Sequence, residues 1–124
     1  MWIIDGNNVM GSRPDGWWND PLGAAERLTQ SVAVWCRGHD DDVTVVFDGR
    51  PEARLTTLAG GNLTIDFARR RGRNAADDRI VELVGAADDP ASLTVVTSDR
   101  GLRERLPAAT SVVGAGTFRR RLDG

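Results

Sequence analysis

The sequence predicts an α/β fold, a three-layer α/β/α sandwich around a central, mostly parallel sheet. Short apolar runs typical of buried strands recur along the chain, and segments with helical periodicity lie between them. This alternation is typical of βαβ units. A length of 124 residues with 40% hydrophobic composition fits one domain, residues 1–124, with a single core.

Four runs predict strands, and a weaker fifth run predicts another. They are Trp2–Ile4, Val43–Phe47, Leu63–Phe67, Leu93–Thr97 and, most weakly, Ser111–Val113. The first, second and fourth runs are continuously apolar, as expected for strands of a parallel sheet that is covered on both faces. We therefore expect helices on both sides of the sheet.

Two helices are predicted between these strands. Asp20 followed by Pro21 indicates an N-cap with proline in the first turn, and this helix should end near residues 36–38. Asn74 can cap a second helix, which Asp88, Asp89 and Pro90 should end. Residues 11–18 predict a surface loop, and residues 114–124 a short helix or a frayed tail.

The composition excludes several functions. Cys36 is the only cysteine and His39 the only histidine, so neither an intrachain disulfide nor a structural zinc site is expected, and oxygen atoms should bind any metal. All sixteen basic residues are arginines. The absence of lysine excludes a P-loop, and it excludes a phosphorelay receiver domain, which needs a lysine near its phosphorylation site. No run approaches the roughly 20 apolar residues of a spanning helix, so we expect a cytoplasmic protein without membrane contact.

Acidic residues follow three of the predicted strands. Asp5 ends the first strand, Asp48 follows the second and Asp99 follows the fourth. Because the carboxyl ends of parallel strands form the rim of the ligand crevice, these acids should converge. Helical geometry adds Asp77, which flanks the apolar stripe of its helix, whereas Asp78 should point almost opposite to that stripe.

A cluster of carboxylates predicts a divalent cation. Like charges raise one another's pKa, and a cation bound between them relieves the repulsion. Oxygen ligands favour Mg²⁺ or Mn²⁺, which leave positions free for water and for substrate phosphate oxygens. The predicted metal-binding set is Asp5, Asp48, Asp77, Asp78 and Asp99. This chemistry is typical of phosphodiester cleavage.

Four of these five acids also have a simpler explanation. Asp48 with Gly49 is typical of a turn, and Asp99 can cap the helix that follows it. Asp77 and Asp78 can complement a helix dipole. Asp5 has no comparable alternative, because a buried strand rarely ends in the sequence Asp-Gly-Asn-Asn.

Four sequence blocks resemble one known family. Residues 3–8 (IIDGNN), 45–49 (VVFDG), 76–80 (ADDRI) and 95–99 (VVTSD) resemble, in order and spacing, those of YacP-like NYN domains in the PIN-like nuclease superfamily. The resemblance implies Mg²⁺- or Mn²⁺-dependent cleavage of RNA, with Asp5, Asp77 and Asp99 as metal-binding acids. It also implies Asn8 as a catalytic polar residue, Asp48 as a further acidic position, and messenger RNA on the ribosome as a partner.

Arginines provide the expected contacts to RNA. Arg69, Arg70, Arg71 and Arg73 immediately precede the helix that carries Asp77, and we expect them to bind phosphates of single-stranded RNA near the acids. The alternative is a solvated basic loop. A second cluster, Arg119–Arg121, lies in the tail.

Two other functions remain open. A DNA nuclease of the flap or exonuclease type would use the same acids, although the chain is too short for many of the extra helices that grip duplex DNA. A noncatalytic RNA-binding or ribosome-associated module could keep the fold without turnover. The presence of all the acidic positions favours an RNA-cleaving enzyme, with endonuclease action expected.

Overall fold

The computed structural model describes residues 1–70, 72 and 74–124. Five strands form one sheet: β1 (Trp2–Asp5), β2 (Val43–Phe47), β3 (Leu63–Phe67), β4 (Thr94–Val96) and β5 (Ser111–Val113). Their order is β3-β2-β1-β4-β5, and every neighbouring pair is parallel. The predicted parallel sheet is confirmed, including the weak fifth strand.

Six α-helices lie in the described part of the chain. They are α1 (Gly6–Met10), α2 (Pro21–Cys36), α3 (Ala53–Thr56), α4 (Ala75–Gly85), α5 (Arg100–Glu104) and α6 (Ala115–Asp123). No helix within these described ranges combines the length and the apolar character that crossing a membrane requires.

The core has two halves, one on each face of the sheet. On one face, Ile4, Val45 and Phe47 pack against buried residues of α1, α2 and α6. On the other face, Ile3, Val46 and Val95 pack against α4 and against Leu102 of α5. Because both faces are covered, all five residues of β2 are buried. This is the predicted three-layer α/β/α sandwich.

One of the two predicted helix caps is present in the structure. The Asp20 carboxylate accepts a hydrogen bond from the Gly23 amide at 3.1 Å, so the predicted cap of α2 is confirmed. Asn74 precedes α4, but its side chain makes no capping hydrogen bond and its backbone is left-handed, with φ 71°. The predicted side-chain cap at Asn74 is therefore wrong. Helix α4 also ends at Gly85, before the predicted stop at residues 88–90.

Gly6 allows the sheet and α1 to approach closely at the site. A Cβ atom at this position would lie 2.6 Å from Cε1 of Phe47 and 2.9 Å from the carbonyl oxygen of Val46. The start of α1 can therefore pass over the end of β2 only with glycine here. Asp5 and Asp48 lie at the same edge of the sheet because β1 and β2 pair in parallel, with Asp5 opposite Val46.

Candidate active site

The acids that follow the strands meet at one cavity. The strand order reverses between β1 and β4, where ligand crevices form in open α/β sheets. A cavity of about 310 Å³ lies at these carboxyl ends. Its polar lining includes Asp5, Asn7, Asn8, Asp48, Asp77 and Asp99. Four of the five predicted acids therefore line the cavity.

Asp5 is the buried member of this group, with only 3% of its surface exposed. Its Oδ2 accepts a hydrogen bond from the Thr97 hydroxyl at 2.9 Å. Burial raises the pKa of Asp5 to about 6, and the negative charges of Asp77 and Asp99 add to this effect, whereas the Thr97 hydrogen bond opposes it. The carboxylate that is hardest to ionise thus lies at the floor of the cavity.

Asp99 serves as a helix cap and as part of the cavity wall. Its Oδ1 accepts a hydrogen bond from the Leu102 amide at 2.9 Å, which caps α5. Its own amide donates to the Thr97 hydroxyl oxygen at 3.1 Å, so Thr97 connects Asp99 to Asp5. The two explanations of Asp99 are compatible, because capping uses one carboxylate oxygen and leaves the other able to bind a ligand.

Asp77 and Asp78 diverge at the start of α4. Asp77 lines the cavity, and burial together with the charge of Asp99 raises its pKa. Asp78 does not line the cavity. It forms ion pairs with Arg105, at 2.8 Å, and with Arg70. Hydrogen bonding to Arg105 and Arg70 lowers the pKa of Asp78, and we leave this residue out of the metal-binding set proposed below.

Asn7 and Asn8 position the neighbouring strand ends. The Asn7 amide oxygen accepts a hydrogen bond from the backbone amide of Asp48 at 2.8 Å, and its nitrogen donates to the Asp48 carboxylate at 3.3 Å. The Asn8 amide oxygen accepts from the Ser98 amide at 2.8 Å. Gly49 is left-handed, with φ 79°, so the predicted turn after β2 exists and Asp48 on it still lines the cavity.

The comparisons with known proteins agree with this geometry. The model of the YacP-like NYN domain matches residues 2–114. The chain belongs to the YacP-like NYN domain family. Its sheet and helices therefore form a PIN-like nuclease fold.

Solved structures of a YacP protein resemble the chain. Rae1 (YacP) from Bacillus subtilis is 22% identical with a TM-score of 0.73, over 99% of this chain and 73% of that chain. A variant of the same protein is 25% identical with a TM-score of 0.72, over 98% of this chain and 74% of that chain. A comparison with curated proteins gave no significant match.

The oxygen atoms of this YacP-like NYN domain fit a hard divalent cation. Among the residues that the structure describes, no three His, Cys, Asp or Glu side chains are placed so that they could together hold a metal ion. Mg²⁺ does not require such a set, because it is usually bound through one or two carboxylates while it keeps several waters. Burial raises the pKa of Asp5 and of Asp77, and the charges of neighbouring carboxylates add to this rise; a bound cation would relieve that repulsion.

The first arginine cluster borders the site only in part. Arg69 and Arg70 are exposed and line a cavity with Gly49, Arg50 and Glu52. Gly72, on the same loop, lines the acidic cavity. Arg71 and Arg73 lie outside the described residues. The loop is therefore close to the acids, but Arg70 is already paired with Asp78.

Two arginines of the second cluster, Arg119–Arg121, contact other parts of the protein. Arg119, 15% exposed, donates to the carbonyl oxygen of Val9 at 2.9 Å and pairs with Asp15 at 3.0 Å. Arg121 lies over the Trp2 ring, 5.7 Å from its centroid. These arginines stabilise the packing of α6, which covers most of the predicted tail.

Several residues that organise the acidic site are not predicted from the sequence. Asn7, Thr97 and Ser98 all lie in the sequence blocks that resemble the family, but their residue types alone predict no role for them. Polar residues beside the acids at strand ends were the available signal. Arg105 gave no signal, since it lies 27 residues from its partner Asp78.

Proposed function

We propose that residues 1–124 form a divalent-metal-dependent ribonuclease domain that hydrolyses phosphodiester bonds of single-stranded RNA, with endonucleolytic action. The observation that carries this proposal is the convergence of Asp5, Asp77 and Asp99 on one cavity in a NYN-family fold. Action in the cytoplasm on messenger RNA at the ribosome is part of the proposal and rests on the family resemblance alone.

Each side chain has a distinct proposed role. Asp5 would anchor Mg²⁺ or Mn²⁺ from the floor of the cavity, with Asp77 and Asp99 on its walls and Asp48 at the more exposed rim. The bound cation would supply an activated water and neutralise charge that develops on the phosphoryl group. Thr97 would hold the Asp5 carboxylate in place through its 2.9 Å hydrogen bond.

Asn8 is suited to contact the RNA phosphate. A backbone amide can only donate, so the hydrogen bond from Ser98 identifies the Asn8 side-chain atom facing it as the oxygen. The Asn8 amide nitrogen then remains a donor beside the acids. We propose that this nitrogen binds a nonbridging phosphate oxygen and orients the scissile bond.

The test is cleavage of a labelled single-stranded RNA by the purified protein. We expect cleavage with Mn²⁺ or Mg²⁺, none with EDTA, and none by Asp5→Asn with either metal. Asp123→Asn is a matched control, because Asp123 is outside the lining of the acidic cavity and pairs with Arg13. Cleavage by Asp5→Asn at the wild-type rate would refute the proposal. RNA binding without cleavage would favour the noncatalytic module, and cleavage of DNA alone would favour a DNA nuclease.

A further inference from the structure

A second cavity, which we call the apolar cavity, adjoins the acidic one. It has a volume of about 340 Å³, and the two share Asn7 and Asp48 in their walls. The apolar cavity is lined by Phe47, Phe67 and Leu55, with Leu22 and Ala25 contributed by α2. Its size falls within the usual range of pockets for small organic groups. A molecule held over the acids would therefore extend directly into an apolar space.

One wall of the apolar cavity adjoins a group of arginines. Gly49, Arg50 and Glu52 line it and also line the next cavity, together with Arg69 and Arg70. The acidic cavity, the apolar recess and the arginines are thus neighbours at this edge of the sheet. A nucleotide of RNA likewise has an apolar base that branches off between two phosphates.

We propose that the apolar cavity binds one nucleobase of the RNA, that of a nucleotide next to the scissile phosphate, and that Arg50 contacts the following phosphate. This inference rests on the proposed function. Phe47 and Phe67 are 3% and 5% exposed, so they form the floor of the recess and contact the base through apolar atoms. Such a site selects for an unpaired base, because a base within a duplex cannot enter it.

A cavity elsewhere in the molecule lacks this continuity. A space of about 410 Å³ beside α5 and β5 is lined by Arg103, Pro107 and Ala108, among others, and shares no lining residue with the acidic cavity. It therefore provides a control position, since a larger side chain at the exposed Ala108 should leave RNA bound at the acids unaffected.

The experiment compares a short single-stranded RNA with copies that carry one abasic nucleotide at each position in turn. Binding is measured by fluorescence anisotropy in Ca²⁺, and cleavage in Mn²⁺. For the wild-type protein we expect one abasic position, next to the cleaved bond, to weaken binding about tenfold. Two variants fill the apolar cavity with a larger side chain: Leu22→Trp at its half-buried mouth and Ala25→Met inside it. Each should bind intact RNA as weakly as the wild type binds that abasic RNA.

The outcomes separate this inference from the proposed function. Ala108→Met should show the same difference in affinity between intact and abasic RNA as the wild type. If the wild type cleaves RNA but binds every abasic copy equally, the base site is wrong while the ribonuclease stands. If Leu22→Trp and Ala25→Met both still bind intact RNA more tightly than the abasic copy, the base is bound elsewhere, and the inference is again overturned. If the wild type neither binds nor cleaves RNA, the proposed function fails, and the base site fails with it.

Discussion

Asp77 and Asp78 are neighbours in the first turn of α4, yet they lie in opposite electrostatic surroundings. Asp77 faces Asp5 and Asp99 across the acidic cavity, where burial and carboxylate charge raise its pKa. Asp78 lies between Arg105 and Arg70, whose hydrogen bonds lower its pKa. One helical step of about 100° therefore separates a carboxylate that repels its neighbours from one that is neutralised.

The difference indicates where this protein can accept a cation. Around Asp78 the positive charge is already supplied by arginine side chains, so a metal ion would gain little there. In the acidic cavity, among the residues that the structure describes, burial and the charges of neighbouring carboxylates raise the pKa of Asp5 and of Asp77, and Arg105 opposes this effect at Asp77. An energetically unfavourable cluster of this kind is typical of functional sites.

The largest expected effect is on catalysis. Asp77→Asn should lower the rate of RNA cleavage by at least about 100-fold, since replacing even the partners that orient metal ligands costs 10- to 100-fold. Asp78→Asn should stay within a few-fold of the wild type. Both rates are measured at saturating Mn²⁺ and RNA, with circular dichroism as the control for folding. Equal losses in the two variants would show that the comparison does not describe catalysis.

The contrast between these two residues was predictable in part. The apolar periodicity of α4 already separated their directions, and the strand ends already brought Asp5, Asp48 and Asp99 to one edge, because both follow from repeating backbone geometry. The partners of Asp78 were not predictable. Its pairing with Arg105 depends on how α5 packs beside α4, which no local pattern encodes.

Side-chain hydrogen bonds at the site show the same limit. Asn74 has the residue type of a cap, but its backbone is left-handed and its side chain makes no capping hydrogen bond. Thr97 looked like the end of an apolar strand, yet its hydroxyl links Asp5 to Asp99. Such roles depend on atoms brought together over 90 residues or more, as with Asn8 and Ser98, so residue type and spacing alone do not reveal them.

The second effect concerns stability against pH without metal. Because the folded-state pKa of Asp5 is raised from 3.8 to about 6, the native protein binds more protons than the unfolded chain between these values. The contribution of Asp5 is therefore present at low pH and is lost as the pH rises through about 6, by at most about 3 kcal/mol. Asp5→Asn should remove this loss. Urea unfolding in EDTA from pH 4 to pH 7 measures the difference between the two proteins, and parallel curves would contradict the raised pKa.

The third effect is stabilisation by metal. Mn²⁺ at about ten times its dissociation constant should stabilise the native wild-type protein by about 1.4 kcal/mol, through binding to the native state alone. Asp5→Asn should show little of this gain, whereas Asp78→Asn should keep it. Thermal unfolding with increasing Mn²⁺ measures the shift. A gain of the same size in Asp5→Asn would place the ion outside the acidic cavity.

The smallest effect tests whether Asp78 competes with RNA for Arg70. The two side chains form an exposed ion pair at the edge of the arginine loop, and a phosphate would have to replace Asp78 as the partner of Arg70. Asp78→Asn should therefore tighten binding of single-stranded RNA, by less than about fivefold because exposed ion pairs are weak.

Arg70→Ala should weaken binding and flatten the slope of log affinity against log salt by about 0.7, the value of one phosphate contact. The double variant Arg70→Ala/Asp78→Asn should then bind RNA no more tightly than Arg70→Ala alone, apart from the effect of removing one negative charge. Asp123→Asn measures that general effect of charge. If Asp78→Asn tightens binding equally with and without Arg70, the gain comes from the lost charge or from the release of Arg105, and Asp78 does not compete with RNA for Arg70.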